Sequence, residues 1–118
     1  MKKNLTKIKQ NLFIEKKTLE WGEISEKEMD WQEAKEWCEN KGEGWRMPTG
    51  GELLQAYDEG LTRNWNLPGS YFWSSTELYL NTAYAWGVYL SYGYTTYTTK
   101  VSSYYVRCVR SLGDEIIK

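Results

Sequence analysis

A chain of 118 residues is one domain's worth of material, and 15 basic against 16 acidic residues leave a net charge of −1. That balance argues against a protein built to neutralise phosphates, and the absence of histidine removes the usual general base, the commonest metal ligand and every histidine-dependent triad. Two cysteines are too few for a four-thiolate zinc site, and no apolar run is long enough to span a membrane.

Charge and aromatic residues are unevenly placed. Residues 1–18 hold six Lys and one Glu, which reads as a basic, solvated leader. It lacks the apolar stretch of a signal peptide, so the default location is cytoplasmic. A single domain is expected over residues 19–118, and Leu12–Ile14 and Leu19–Trp21 are weak strand candidates near the N-terminus. Residues 19–60 carry four basic and twelve acidic residues, and residues 78–105 contain Lys100 as their one charged side chain. Nine of the ten Tyr lie within residues 71–105.

The acidic middle predicts two short helices. Asp30 with Glu33 three residues on is a capping-box pattern that opens a helix over Trp31–Lys41, with Trp31, Ala34, Trp37 and Cys38 on one face. Gly42 and Gly44 end it. Thr49 and Glu52 repeat the box after Pro48 and open a helix that buries Leu53, Leu54 and Tyr57 and stops at Gly60. In the connector between them, Trp45 is expected to plug the space between the helices.

The end of the chain predicts strands. Tyr71–Thr76 is an aromatic, β-branched run, and Tyr84–Ser91 alternates with period two. Its face of Tyr84, Trp86, Val88 and Leu90 is expected in the core, and its face of Ala85, Gly87, Tyr89 and Ser91 in solvent. Tyr92-Gly93 is the turn into a strand at Tyr94–Thr99. Tyr104–Arg110 is the last strand, with Val106 and Cys108 in phase and Arg107 opposite.

Several motifs occur in one order: Trp31-Gln-Glu-Ala-Lys-Glu-Trp-Cys38, Gly44-Trp-Arg-Met-Pro-Thr49, Glu52-Leu53, Phe72-Trp-Ser-Ser-Thr-Glu77, Ala85-Trp86 and Tyr105-Val-Arg-Cys-Val-Arg110. Over roughly residues 19–110 the chain resembles the collagen-like-protein C-terminal domain family. That resemblance implies an α+β, C-type-lectin fold of the formylglycine-generating-enzyme type: two short helices, a small, mainly antiparallel sheet and a loop-rich variable face. From Trp73 to Arg110 the chain is most similar to variable proteins of diversity-generating retroelements, in which adenine-directed copying errors turn asparagine codons into Tyr, Ser, Thr, Asp or Gly codons. Residues 78–103, the expected variable segment, hold six Tyr, five Thr, three Ser and one Asn. The resemblance also implies a disulfide between Cys38 and Cys108, since such folds commonly tie the first helix to the last strand. No secretory signal supports it, so its formation is expected to depend on compartment.

An uncharged, Tyr- and Ser-rich surface has the composition of a paratope, because Tyr offers much contact area for two torsions. The expected ligand-contacting residues within the matched segment are Tyr79, Asn81, Thr82, Gly87, Tyr89, Ser91, Tyr92, Tyr94, Tyr97, Val101, Ser102 and Ser103. Tyr84 is left out because it shares the face of Trp86. The expected function is non-catalytic binding of a protein or surface glycan by a monomer, without cofactor, metal, nucleic acid or membrane insertion. The alternative is a fixed-specificity adhesin-like or carbohydrate-binding module. Formylglycine-type oxidation needs a reactive cysteine pair in another local setting. Calcium-dependent sugar binding needs carboxylates that residues 78–105 lack, and Trp65-Asn66-Leu67 resembles the lectin Trp-Asn-Asp element without its acid.

Overall fold

The computed structural model describes residues 17–114, so Leu12–Ile14 and most of the basic leader lie outside the described residues. Lys17 and Thr18 belong to the fold, because they open strand β1 (Lys17–Ile24). Then come α1 (Trp31–Glu39), α2 (Gly50–Asp58), a 3-10 turn (Leu61–Asn64), β2 (Phe72–Glu77), β3 (Tyr84–Tyr89), β4 (Tyr94–Thr99) and β5 (Arg107–Asp114). β1 pairs antiparallel with β5, and β2, β3 and β4 form a second antiparallel sheet in that order. The architecture is α+β. Among the described residues no helix is long and apolar enough to cross a membrane.

Both helices start where their caps dictate. Asp30 accepts from the backbone of Glu33 at 2.8 Å, and the Glu33 carboxylate accepts from Asp30 N–H at 3.2 Å. α1 stops two residues earlier than the pattern predicts, at Glu39, with Asn40 as its cap. Gly42, Glu43 and Gly44 all follow with positive φ, a turn that two glycines make affordable. In α2, Leu53 and Ala56 are buried, while Leu54 and Tyr57 are half-buried. Tyr57 packs instead beneath the β3–β4 turn: a Cβ on Gly93 would lie 2.7 Å from its ring.

The Arg46–Glu52 pair joins three elements. Arg46 donates to both carboxylate oxygens of Glu52 at 2.8 Å, and Glu52 also accepts from Thr49 N–H to complete the second capping box. Arg46 meanwhile exchanges two backbone hydrogen bonds with Val109 on β5. Its neighbour Trp45 does not fill the gap between the helices. The ring lies over Gly22 of β1, 3.1 Å from where a Cβ would stand, with the Arg110 guanidinium 4.8 Å from its centroid.

Two buried clusters flank the β2–β3–β4 sheet. Trp73 and Ala85 join Met29, Trp31, Ala34, Cys38, Met47, Val106 and Cys108 on one face. Phe72, Val88 and Leu90 meet Leu53 on the other. The indole N–H of Trp73 donates to the Met29 carbonyl and that of Trp31 to the Ser74 carbonyl, so both buried rings are satisfied. A disulfide joins Cys38 of α1 to Cys108 of β5, with Cα atoms 5.4 Å apart.

This arrangement corrects the expected phase of β3. Ala85 and Gly87 are buried, while Tyr84 and Trp86 are only half-buried. Both faces of the strand are covered, and Tyr104 lies directly over Gly87: an added Cβ would stand 2.8 Å from its ring.

Two outcomes follow for stability. Burial pushes the Glu52 carboxyl up, but hydrogen bonds from Arg46 and Thr49 outweigh it and hold the group below its ordinary range. Its contribution is therefore complete above the unfolded-state value near ~4.3 and is lost as pH falls through the lower folded value. Glu52→Gln should cost about 1.5–3 kcal/mol at pH 7, towards the lower end because the pair is partly solvated. Denaturant midpoints of the two proteins should converge only as pH falls through that lowered folded value. For the disulfide, closing a loop with a sequence separation of 70 stabilises by about 4 kcal/mol in the chain-entropy model. Dithiothreitol should lower the midpoint of the parent accordingly and leave a Cys38→Ala/Cys108→Ala variant unmoved.

Candidate functional site

The expected ligand-contacting residues fall into three places around the β3–β4 hairpin. The register Tyr84↔Thr99 to Tyr89↔Tyr94 separates the two ends by five residues, about 17 Å of strand. They are not one patch.

At the turn end, Ser91, Tyr92 and Tyr94 are exposed and Tyr89 is half-buried. Their rings continue a line that begins in the core. Trp73 lies 4.6 Å from Tyr104, Tyr104 lies 5.4 Å from Tyr71, and Tyr71 lies 5.2 Å from Tyr89. Tyr89 then stacks on Tyr92 at 5.7 Å, and Tyr92 on Tyr94 at 5.6 Å. Tyr92 and Tyr94 are each 62% exposed, so a line that starts at buried Trp73 and passes through half-buried rings ends in two largely free ones. Holding rings in a stack reduces the side-chain entropy lost when a ligand covers them. Tyr71 was not among the expected residues. It precedes the Tyr/Thr/Ser-rich segment, and only the fold brings it beside Tyr89.

The opposite face of the hairpin carries Tyr97, 52% exposed, with its ring 5.2 Å from Trp86 and 6.1 Å from Tyr84. The phase that Trp86 and Tyr84 share with Val88 predicts them in the core. They instead form a half-open aromatic surface with Tyr97, because α2 covers only the Val88 and Leu90 end of that face.

At the far end, Tyr79 and Val101 are 93% and 83% exposed, and Leu80, which the residue types did not single out, is 88% exposed. Thr82 and Ser103 are exposed too. Asn81 and Ser102 have local work. The Asn81 amide oxygen accepts from Ala83 N–H at 3.1 Å, and the Ser102 hydroxyl lies 2.9 Å from that of Thr98. Lys100 is tied back to Glu77, with its ammonium 3.9 Å from the Trp31 centroid.

Gly87 presents nothing to a ligand, since Tyr104 covers it. Burial, with Tyr71 and Glu28 nearby, raises the Tyr104 phenol above its ordinary value, so it stays neutral. What remains accessible is an uncharged set of rings and hydroxyls, suited to stacking and hydrogen bonding. Among the described residues no three His, Cys, Asp or Glu side chains converge as a metal site. Gly87→Ala should lower stability by about 1–3 kcal/mol through overpacking against Tyr104. Trp86→Ala should cost less than the 3–5 kcal/mol of a buried aromatic truncation. Paired denaturant melts check the order, and a neutral Gly87→Ala would overturn the packing described.

Residues 14–110 match the family model described as the Lcl C-terminal domain, a span that begins five residues before the motif resemblance at residue 19. No curated protein matches the chain. The chain belongs to the Lcl C-terminal domain family.

Proposed function

We propose that this chain is a non-catalytic recognition domain with a C-type-lectin fold, a variable protein of a diversity-generating retroelement that binds a protein or surface glycan through its hairpin. One observation carries the reading. The exposed rings Tyr92, Tyr94 and Tyr97 lie on a strand and turn outside both buried clusters, so they can be exchanged without opening a cavity. The narrowed variable surface is Tyr79, Thr82, Ser91, Tyr92, Tyr94, Tyr97, Val101 and Ser103, with Tyr89 at its edge. A fixed-specificity module of the same fold is favoured by a different observation: Gly87, Asn81 and Ser102 sit within residues 78–103 yet have packing or turn roles.

Two measurements separate these readings. Saturating residues 79, 92, 94, 97 and 101 should leave most variants resistant to protease, whereas the same treatment of Ala85, Gly87, Val88 and Leu90 should unfold most of them. Equal losses in both sets would place the rings in the core and end the reading. Replacing Tyr92, Tyr94 and Tyr97 together by Ser should change stability by only about 0.5 kcal/mol per site. In the surrounding DNA, a near-identical copy of the segment differing at adenines supports diversification, and its absence favours the fixed module.

A further inference from the structure

The outer edge of β4 is unpaired among the described residues, with β3 on its other side. Its register identifies the spare backbone groups. Lys100 N–H donates to the Ala83 carbonyl, and the unbroken pairing from that point makes Ala85–Thr98, Gly87–Thr96 and Tyr89–Tyr94 the hydrogen-bonded pairs. Thr95, Tyr97 and Thr99 therefore turn their backbone N–H and C=O away from β3. The Thr99 carbonyl accepts from Ser102 N–H at 3.0 Å. Both groups of Thr95, both of Tyr97 and the N–H of Thr99 remain for a partner.

Native sheets blunt such edges with charge, proline or a bulge. β4 has none of these: Tyr-Thr-Thr-Tyr-Thr-Thr is uncharged, and its register with β3 is unbroken. The next residue, Lys100, is held back by Glu77 and Trp31. The spare groups repeat every two residues, about 6.8 Å apart. A polypeptide strand presents donors and acceptors at that spacing, and a sugar chain does not. Tyr94 and Tyr97 project to opposite faces of the strand, so alternate side chains of an incoming segment meet a ring on either side.

We propose that β4 binds an extended, uncharged segment of a partner protein by strand addition, lengthening the β2–β3–β4 sheet to four strands. The proposal rests on the recognition reading above and supplies its ligand class. Main-chain hydrogen bonds supply affinity that does not depend on side-chain identity, while the rings at 94 and 97 supply selectivity. A surface whose side chains vary thereby keeps one constant docking rail.

The probe is a displayed library of random linear eight-residue peptides, with enriched sequences then synthesised. Enriched peptides should be uncharged and rich in β-branched and aromatic residues. N-methylating the amides of such a peptide one at a time should raise Kd about tenfold at alternate positions, the equivalent of one lost hydrogen bond, while the intervening amides tolerate it. Thr95→Pro removes one outward N–H, a change edge strands accept, and should weaken every selected peptide about tenfold. Hydrogen exchange on the unaltered protein should show Thr95 and Tyr97 amides protected when peptide is added, which keeps the test independent of how the proline variant folds. Failure to enrich peptides, a non-alternating methylation pattern, or unprotected amides at Thr95 and Tyr97 would overturn strand addition. So would protection of both amides in a concentration-dependent dimer without peptide, which assigns the edge to a second copy. Peptide binding abolished by the triple Tyr→Ser variant but insensitive to N-methylation, or glycan binding without any peptide binding, overturns strand addition alone and leaves the recognition reading standing.

Discussion

Phe72 and Trp73 are adjacent on β2, and both are fully buried. Neighbouring strand residues point to opposite faces, so β2 must be covered on both sides at once. Every larger feature answers that demand. α1, the Cys38–Cys108 bridge and Val106 close the Trp73 side, while Leu53 of α2 with Trp21, Trp65 and Tyr105 closes the Phe72 side. β3 inherits the same double burial through its pairs Phe72↔Val88 and Trp73↔Gly87. β4, one strand further out, is mostly beyond the reach of both clusters. The gradient from buried β2 to exposed β4 is what lets a small domain combine a buried core with an exposed aromatic surface.

Charge is managed separately from that surface. Lys41, Arg107, Arg110 and Lys100 each place a cation over a Trp ring, on Trp37, Trp65, Trp45 and Trp31 respectively. Burial lowers the Arg107 guanidinium below its ordinary value, and its Nε donates to the Gly22 carbonyl. Arg110 pairs with Glu20 on the neighbouring strand. These contacts shield Trp37, Trp45 and Trp65, which the two clusters leave half-covered, and cap the buried Trp31. Among the described residues no cation lies over the Tyr rings of the hairpin.

Hairpin geometry also limits which side chains of residues 78–103 can be exchanged. Residues 78–103 include Ala85, Val88 and Leu90, all buried, and Gly87, pinned under Tyr104. In the turn, the outer strand and the far-end loops most side chains can be exchanged, with Gly93 (positive φ, against Tyr57), Asn81 and Ser102 as the exceptions. Backbone pairing between β3 and β4 does not depend on those side chains, so the scaffold persists beneath whatever they become.

What the sequence determined by itself was local. Asp30 with Glu33 and Thr49 with Glu52 set both helix starts, because a capping box involves only four consecutive residues. The turn at Tyr92-Gly93 and the strands around it were likewise legible from nearby residues. Which side of β3 lay inside was not. Period two states that Ala85 and Trp86 point apart, and says nothing about what covers each side. Tyr104, arriving from the connection before β5, buries Gly87, while α2 ends short of Trp86 and leaves it half-open. The same distance in sequence hid Tyr71 beneath Tyr89 and placed Trp45 over Gly22. Contacts between residues far apart in the chain leave no periodic trace, so only the tertiary structure decided which aromatic rings became core and which became surface.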